Sequence, residues 1–386
     1  MKILEVNDLK KLAQRRVPKM FFDYADSGSF TQSTYAANEA DFGNIKLRQR
    51  VAVNMSNRTL KTKMIGQDFS MPVAIAPTGS TGMQHADGEI LAAQAAEEFG
   101  VPYTLSTMSI CSLEDVAAAT KKPLWFQLYV MKDRDFNKRL IERAKAAGCS
   151  ALVLTLDLQI LAQRHKDLRN GLKAPPEINF STFWQFATRP RWCMQMLQTK
   201  QHQFGNIYGH IKDVTDLASL HEWSAKQFDE TLSWQDIEWI KEQWGGKLIL
   251  KGILDPEDAQ IATRTGADAI IVSNHGGRQL DGAPSSISML SPIVDAVQGD
   301  IEVHMDGGVR TGVDVLRAKA LGAQGVYIGR PYLYGLGAMG KAGVTKTLEI
   351  LASELDTTMA LCGERVLSNM GRQNLLIPRD FRGEWE

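Results

Sequence analysis

The chain has 386 residues, 44% of them hydrophobic and 23% charged, with a formal net charge of zero and four cysteines. Such a composition suits a globular protein with a large core, and α/β barrels of this length commonly form one unit. The neutral balance gives no electrostatic reason to expect nucleic acid as a partner. Cys111, Cys149, Cys193 and Cys362 are scattered without a CxxC pair, so neither a disulfide framework nor a metal site is expected. The N-terminal MKILEVNDLKKLAQRR lacks the apolar core of a signal peptide. No stretch reaches the roughly 20 apolar residues of a spanning helix. The expectation is a cytoplasmic protein, with peripheral contact to the inner face of the membrane left open.

In chain order, short apolar runs predict strands at MPVAIAP (71–77), VPYTLS (101–106), PLWFQLYV (123–130), ALVLTLD (151–157), KLILKG (247–252), DAIIVSN (268–274), IEVHMDGG (301–308) and GVYIGR (325–330). Between them lie segments with helical character, such as ADGEILAAQAAEEFG and DRDFNKRLIERAKAAG, each closed by a glycine suited to a C-cap. Strands alternating with helices predict a parallel sheet, and eight such units predict a closed TIM (β/α)8 barrel over residues 1–386 as a single domain. The rhythm breaks between the fourth and fifth strands. There EINFSTFWQFATRPRWCMQMLQTKQHQF (177–204) is aromatic, Met-containing and basic, with no clean helical period. The interval 177–230 reads as an insertion.

Barrel active sites form where the strands run out at their C-terminal ends. Those ends carry Pro77-Thr78-Gly79, Ser106, Gln127 and Tyr129, Thr155 and Asp157, Lys251, Ser273 and His275, Asp306-Gly307-Gly308-Val309-Arg310, and Gly329-Arg330. One polar residue at a strand end merely ends a strand; a full ring of them points to a site. The loops after the last two strands combine glycines with arginines and, in one case, a helix starting near Thr311, the pattern of a phosphate site. GLGAMGKA (335–342) matches GxGxxG but has Ala342 where a P-loop needs Ser or Thr, and reads as a helix of small residues packed closely.

Lys251 is expected either to face an electron-rich group or to form a structural ion pair. Ser106, Gln127, Thr155 and Ser273 suit a flat heterocycle. His275, with Asp157 as partner, suits a general base. Arg164 and Arg278 suit a carboxylate clamp, with Tyr24 and Tyr129 adding hydroxyls. Together these describe oxidation of a 2-hydroxy acid.

SNHGGRQLDG, HMDGGVRTGVDVLRAKALGA, GRPYLYG, LWFQLYV and PKMFFDYADSG resemble the FMN-dependent 2-hydroxy acid dehydrogenase/oxidase family over nearly the whole chain. The resemblance implies a TIM barrel holding FMN. Pro77, Thr78 and Gly79 would approach the flavin. Ser106, Gln127, Thr155, Lys251 and Ser273 would bind its ring and ribityl portions, with Lys251 at the N1–O2 edge. Asp306, Gly307, Gly308, Val309, Arg310, Gly329 and Arg330 would hold the ribityl chain and phosphate. Tyr24, Tyr129, Arg164 and Arg278 would bind substrate, with His275 as base and Asp157 supporting it.

Gly79 stands where plant-type glycolate oxidases carry alanine, a difference expected to bear on flavin access, and Met108 stands where they carry tryptophan in the pocket wall, which favours a substrate other than glycolate. FWQFATRPRWCMQML has the composition of a segment lying in a bilayer interface. It resembles the membrane-docking segment of bacterial lactate and mandelate dehydrogenases, the alternatives being a mobile loop or an oligomer contact. The nearest likeness is to bacterial L-lactate dehydrogenase, which implies L-lactate as substrate, a quinone or respiratory acceptor and a homotetramer. Three rival readings remain: an oxygen-reducing oxidase, another phosphate-binding FMN barrel such as an isomerase, and a non-catalytic membrane-associated binding protein.

Overall fold

A computed structural model describes residues 2–171, 180–210, 227–378 and 381. All eight expected strands form: β1 Val73–Ile75, β2 Thr104–Ser106, β3 Trp125–Tyr129, β4 Ala151–Thr155, β5 Lys247–Ile253, β6 Ala269–Val272, β7 Glu302–Asp306 and β8 Gly325–Ile328. They pair in parallel from β2 round to β8 and on to β1. A parallel bridge between Ile75 and Tyr103 brings the ends together, with Ile75 N–H donating to Pro102 O at 2.9 Å. The sheet is thus a TIM barrel with its helices outside.

Two apolar layers hold it. Inside the barrel, Ala74, Trp125, Ala151, Val153, Ile249, Ala269, Ile271 and Tyr327 fill the lumen. Side chains of opposite strand parity (Phe126, Leu152, Leu154, Leu248, Leu250, Ile270) face the helices instead. Each such buried large side chain contributes about 1.5–3 kcal/mol. A hairpin, Thr62–Met64 with Gln67–Phe69, plugs the end remote from the site. Glu302 Oε2 accepts from Ile65 N–H at 2.8 Å to pin that plug, leaving the opposite mouth for chemistry.

The helices begin where the side chains dictate. Asp133 Oδ1 accepts from Phe136 N–H at 2.9 Å to cap Arg134–Ala146, and Thr311 Oγ1 accepts from Asp314 N–H at 3.1 Å to cap Gly312–Leu321. Gly100, in the left-handed region, closes Gly88–Phe99. GLGAMGKA falls on the helix Arg330–Met339 and the start of Lys341–Leu361. A Cβ on Gly335 would collide with Gly343 O, so its small residues do serve close helix packing.

The insertion departs from expectation. Residues 180–204 have a helical core: Phe180–Ala187 and Pro190–Gln198 are helices. They dock on the N-terminal helix Lys19–Ala25 through Phe21, whose ring stacks on Trp192 at 5.2 Å, and through Gln185 Oε1, which accepts from Met20 N–H at 3.0 Å. The Trp192 indole N–H donates to Met83 O at 3.1 Å. The opposite faces leave Phe183, Trp184, Met194 and Leu197 exposed. Residues 172–179 and 211–226 of this interval lie outside the described residues. Among the described residues no helix is long and apolar enough to cross a membrane.

Candidate active site

The neutral residues at the ends of β2, β3 and β4 form one continuous chain. Ser106 Oγ donates to Gln127 Oε1 at 3.0 Å, and Gln127 Nε2 donates to Thr155 Oγ1 at 3.0 Å. These bonds fix which way the amide points, so donors and acceptors alternate across the mouth. The ionic residues continue the ring over β5, β6 and β7. Lys251 Nζ donates to Ser273 Oγ at 3.1 Å and pairs with Asp306 Oδ2 at 3.3 Å. Burial alone would depress the Lys251 ammonium, but Asp306 and Asp157 hold its pKa above the ordinary range. The expected ion pair and the expected cation at the mouth are therefore the same residue.

Asp306 Oδ1 and Ser286 Oγ are buried with no hydrogen-bond partner among the described residues. Both lie at the loop after β7, for a Cβ on Gly307 would sit 2.9 Å from Ser286 Oγ. Native structures seldom leave such atoms unpaired. A polyhydroxylated ligand would satisfy them. Beside them, Gly308 (φ 80°) runs so close to Asn38 that a Cβ would strike its carbonyl. Val309 is buried, and Arg310 pairs with Glu39 at 2.6 Å. A Cβ on Gly329 would meet Thr78 Cγ2 at 3.7 Å, ordinary contact, so the ends of β8 and β1 lie side by side. After β1 the Thr78 hydroxyl bonds Tyr332 and Thr81.

His275 adopts φ 57°, followed by Gly276 and Gly277 at φ 65° and 71°. Its N–H donates to Ser273 Oγ at 3.0 Å, which holds this unusual backbone. The glycines are sterically required as well: a Gly277 Cβ would lie 2.6 Å from Tyr35 Cα, and one on Gly276 would lie 2.9 Å from Arg330 Nη1. This turn sets His275 Nδ1 2.8 Å from Asp157 Oδ1. Asp157 in turn needs the bulge at Gly252 (φ 102°), where a Cβ would be 2.6 Å from the Asp157 carboxyl carbon. Burial would raise the Asp157 carboxyl, but His275 and Lys251 hold it below the usual carboxylate range. With Nδ1 facing a carboxylate, Nε2 is the nitrogen left for a proton transfer.

Arg164 and Arg278 both lie over the Tyr24 ring, at 5.5 and 4.9 Å from its centroid. Their environments differ. Arg164 Nε donates to Asp167 Oδ2 at 2.6 Å, so its pKa stays raised although burial opposes it. Among the described residues Arg278 meets only neutral acceptors, Tyr24 O at 2.6 Å and Ser27 O at 3.2 Å among them. Burial and the neighbouring Arg164 charge push it down to about 10, still protonated at neutral pH. Tyr129 lies close enough to feel Asp157, Tyr24, Arg278 and Arg164, and burial pushes its phenol up, keeping it a hydrogen donor.

Arg330 is placed differently from Arg310. Its Nε and Nη2 donate to Ala25 O and Ser27 O at 3.1 and 2.8 Å, and its guanidinium lies 4.4 Å from the Tyr35 ring centroid. Sequence reasoning missed the N-terminal turn that receives it, and it missed Asp167, Gln279 and Phe228. Asp167 was findable three residues after Arg164. Gln279 Nε2 donates to Asp157 O at 2.9 Å and Ile160 O at 2.7 Å, tying two mouth loops together. The Phe228 ring meets Tyr129 edge-on at 5.5 Å, and nothing in its local sequence signals this.

The model of the family described as FMN-dependent dehydrogenase matches residues 13–377. The chain belongs to the FMN-dependent dehydrogenase family. A crystal structure of the monotopic membrane protein (S)-mandelate dehydrogenase is similar at TM-score 0.94 and 34% identity, covering 98% of this chain and 100% of that one. A soluble mutant of the membrane-associated (S)-mandelate dehydrogenase from Pseudomonas putida is similar at TM-score 0.83 and 34% identity, over 98% and 100% of the two chains. Mandelate oxidase is similar at TM-score 0.82 and 34% identity, over 97% and 98%. The protein is an FMN-dependent 2-hydroxy acid oxidoreductase. Its mouth fits FMN: Asp306 Oδ1 and Ser286 Oγ, unpaired among the described residues, call for hydroxyls, and Lys251 supplies a buried cation.

Proposed function

We propose that this family member oxidises L-lactate to pyruvate and passes the electrons to a membrane quinone. The observation that carries the chemistry is the Asp157–His275 pair opening onto the Arg164, Arg278, Tyr24 and Tyr129 cluster. FMN, when bound, supplies the two-electron acceptor. Arg278 and Arg164 grip the substrate carboxylate, while Tyr24 and Tyr129 donate to its oxygens. His275 takes a substrate proton on Nε2, and Asp157 stabilises the resulting imidazolium. Removing one proton and two electrons at the carbinol, with the second proton also leaving, yields the 2-keto acid.

For the cofactor, Ser106, Gln127, Thr155 and Ser273 are assigned to the ring and ribityl groups, with Pro77 to Gly79 against its face. Lys251 is assigned to the edge that becomes negative on reduction. Asp306 to Arg310 and Gly329-Arg330 are assigned to the ribityl chain and phosphate.

L-Lactate is supported by the resemblance of the motifs to bacterial lactate dehydrogenases. Met108 also packs against Gly79 and fills the wall; a Cβ there would lie 3.1 Å from Met108 Cβ. A second reading, an aryl 2-hydroxy acid, is favoured by the similarity to mandelate enzymes. Quinone as acceptor is supported by the exposed Phe183, Trp184, Met194 and Leu197 beside Arg191, an amphipathic surface suited to a bilayer interface. Peripheral attachment at the cytoplasmic face and a homotetramer belong to the same reading.

The test is anaerobic bleaching of the flavin by a panel of L-2-hydroxy acids, followed by reoxidation with air or a soluble quinone. Fast bleaching by L-lactate and faster reoxidation by quinone are expected. Preference for mandelate establishes the second reading, and rapid peroxide formation in air establishes an oxidase.

A further inference from the structure

Asp26 lies in the turn between the helix Lys19–Ala25 and the rest of the mouth, and it is 8% exposed. Its Oδ1 accepts from the Tyr35 and Tyr334 hydroxyls at 2.9 and 2.6 Å, and its Oδ2 pairs with Lys10 at 3.0 Å. Its backbone carbonyl accepts from Lys166 Nζ at 2.9 Å. Those four partners come from the helices Val6–Arg16, Ser33–Ala40, His165–Arg169 and Arg330–Met339. Charge-assisted bonds of this kind are short and strong, so the turn is fixed from all sides.

The carbonyls flanking Asp26 are the ones that hold the mouth arginines. Tyr24 O takes Arg278 Nη1, Ala25 O takes Arg330 Nε, and Ser27 O takes both Arg330 Nη2 and Arg278 Nη1. Among the described residues every hydrogen bond of Arg278 uses Nη1. Its Nε and Nη2 are thereby left for a carboxylate, the two-pronged geometry arginine is built for. Tyr24, whose ring lies under Arg278 and Arg164, leaves the same turn.

We propose that Asp26 is a positioning residue for substrate: its carboxylate locks the Tyr24–Ser27 turn, and the turn's carbonyls aim Arg278 at the substrate carboxylate. The inference rests on the reading of Arg278 as the clamp. Asp26 stands outside the reaction and acts through the guanidinium.

The test uses flavin-loaded full-length enzyme and four variants: Asp26→Asn, Tyr35→Phe, Arg278→Lys, and the Asp26→Asn/Arg278→Lys double variant. Two quantities are read: the KM–kcat split with the reducing 2-hydroxy acid, and the Kd of oxalate from the shift in flavin absorbance. Asp26→Asn is expected to raise KM and the oxalate Kd together by about tenfold while kcat changes little, the signature of lost binding shared by ground and transition states. Tyr35→Phe, which removes one bond and keeps the ring under Arg330, is expected to raise both by about threefold. In the Arg278→Lys background Asp26→Asn is expected to add little, because both act on one contact. Effects that multiply in the double variant, or an oxalate Kd unmoved by both Asp26→Asn and Tyr35→Phe, overturn the inference. If Asp26→Asn fails to fold, Tyr35→Phe decides alone. An Arg278→Lys enzyme with unchanged KM and oxalate Kd overturns the clamp reading itself.

Discussion

Asp157 owes its place to a glycine on β5, and its lowered carboxyl to His275 and Lys251. Replacing Asp157 by Asn removes the negative charge that stabilises the His275 imidazolium, and flavin reduction should slow by about 10²–10⁴-fold with FMN retained; stopped-flow absorbance reads this. The same variant has a pH signature in stability. A carboxyl depressed in the folded state stabilises above its unfolded value of about 3.9, and that contribution is lost as pH falls through the lower folded value. The stability gap between wild type and Asp157→Asn, followed by denaturant melts, should therefore be full near neutrality and close in acid. Gly252→Ala forces a Cβ against the Asp157 carboxyl at φ 102° and should cost about 1–3 kcal/mol in the same melts. At this scale Lys251 and His275 are legible because their side-chain chemistry is unusual at strand ends, and Arg164 and Arg278 because they follow in the loops beyond them. The bonds that aim Arg278 and Arg330 are not, because they end on the carbonyls of Tyr24, Ala25 and Ser27. A backbone carbonyl leaves no mark in residue type.

The insertion shows what periodicity misses. Its helices span only 8 and 9 residues and are interrupted before Pro190. Aromatic residues occupy both faces, Phe186 and Trp192 toward the protein and Phe183 and Trp184 outward, so the usual contrast of apolar and polar sides is blurred. Two distinct outcomes follow. Trp192→Ala removes the stack on Phe21 and the bond to Met83 O, so limited proteolysis within the insertion should accelerate while anaerobic flavin reduction persists. Trp184→Glu with Leu197→Glu keeps those anchors but places charge on the outer face. Sedimentation with anionic vesicles should then be lost while the proteolysis pattern stays as in wild type. Equal vesicle binding by the charged variant would assign the outer face to another contact.

At the scale of the molecule the barrel was the most legible feature, since all eight apolar runs became strands and their ends form one ring. Eight strands with a tight βα rhythm leave few other closures. The N-terminal segment is legible in its residue types, Tyr24 among them, but not in its path, which Asp281 and the mouth arginines fix through contacts about 250 to 300 residues apart. Distant side chains meet at one mouth suited to FMN, and His275 is assigned there as the group that takes the substrate proton. Anaerobic stopped-flow reduction of FMN by the best L-2-hydroxy acid, in wild type and His275→Ala, tests it most directly. Full FMN content is expected in both, with reduction slowed by about 10²–10⁴-fold in the variant. Reduction at the wild-type rate in His275→Ala would contradict it.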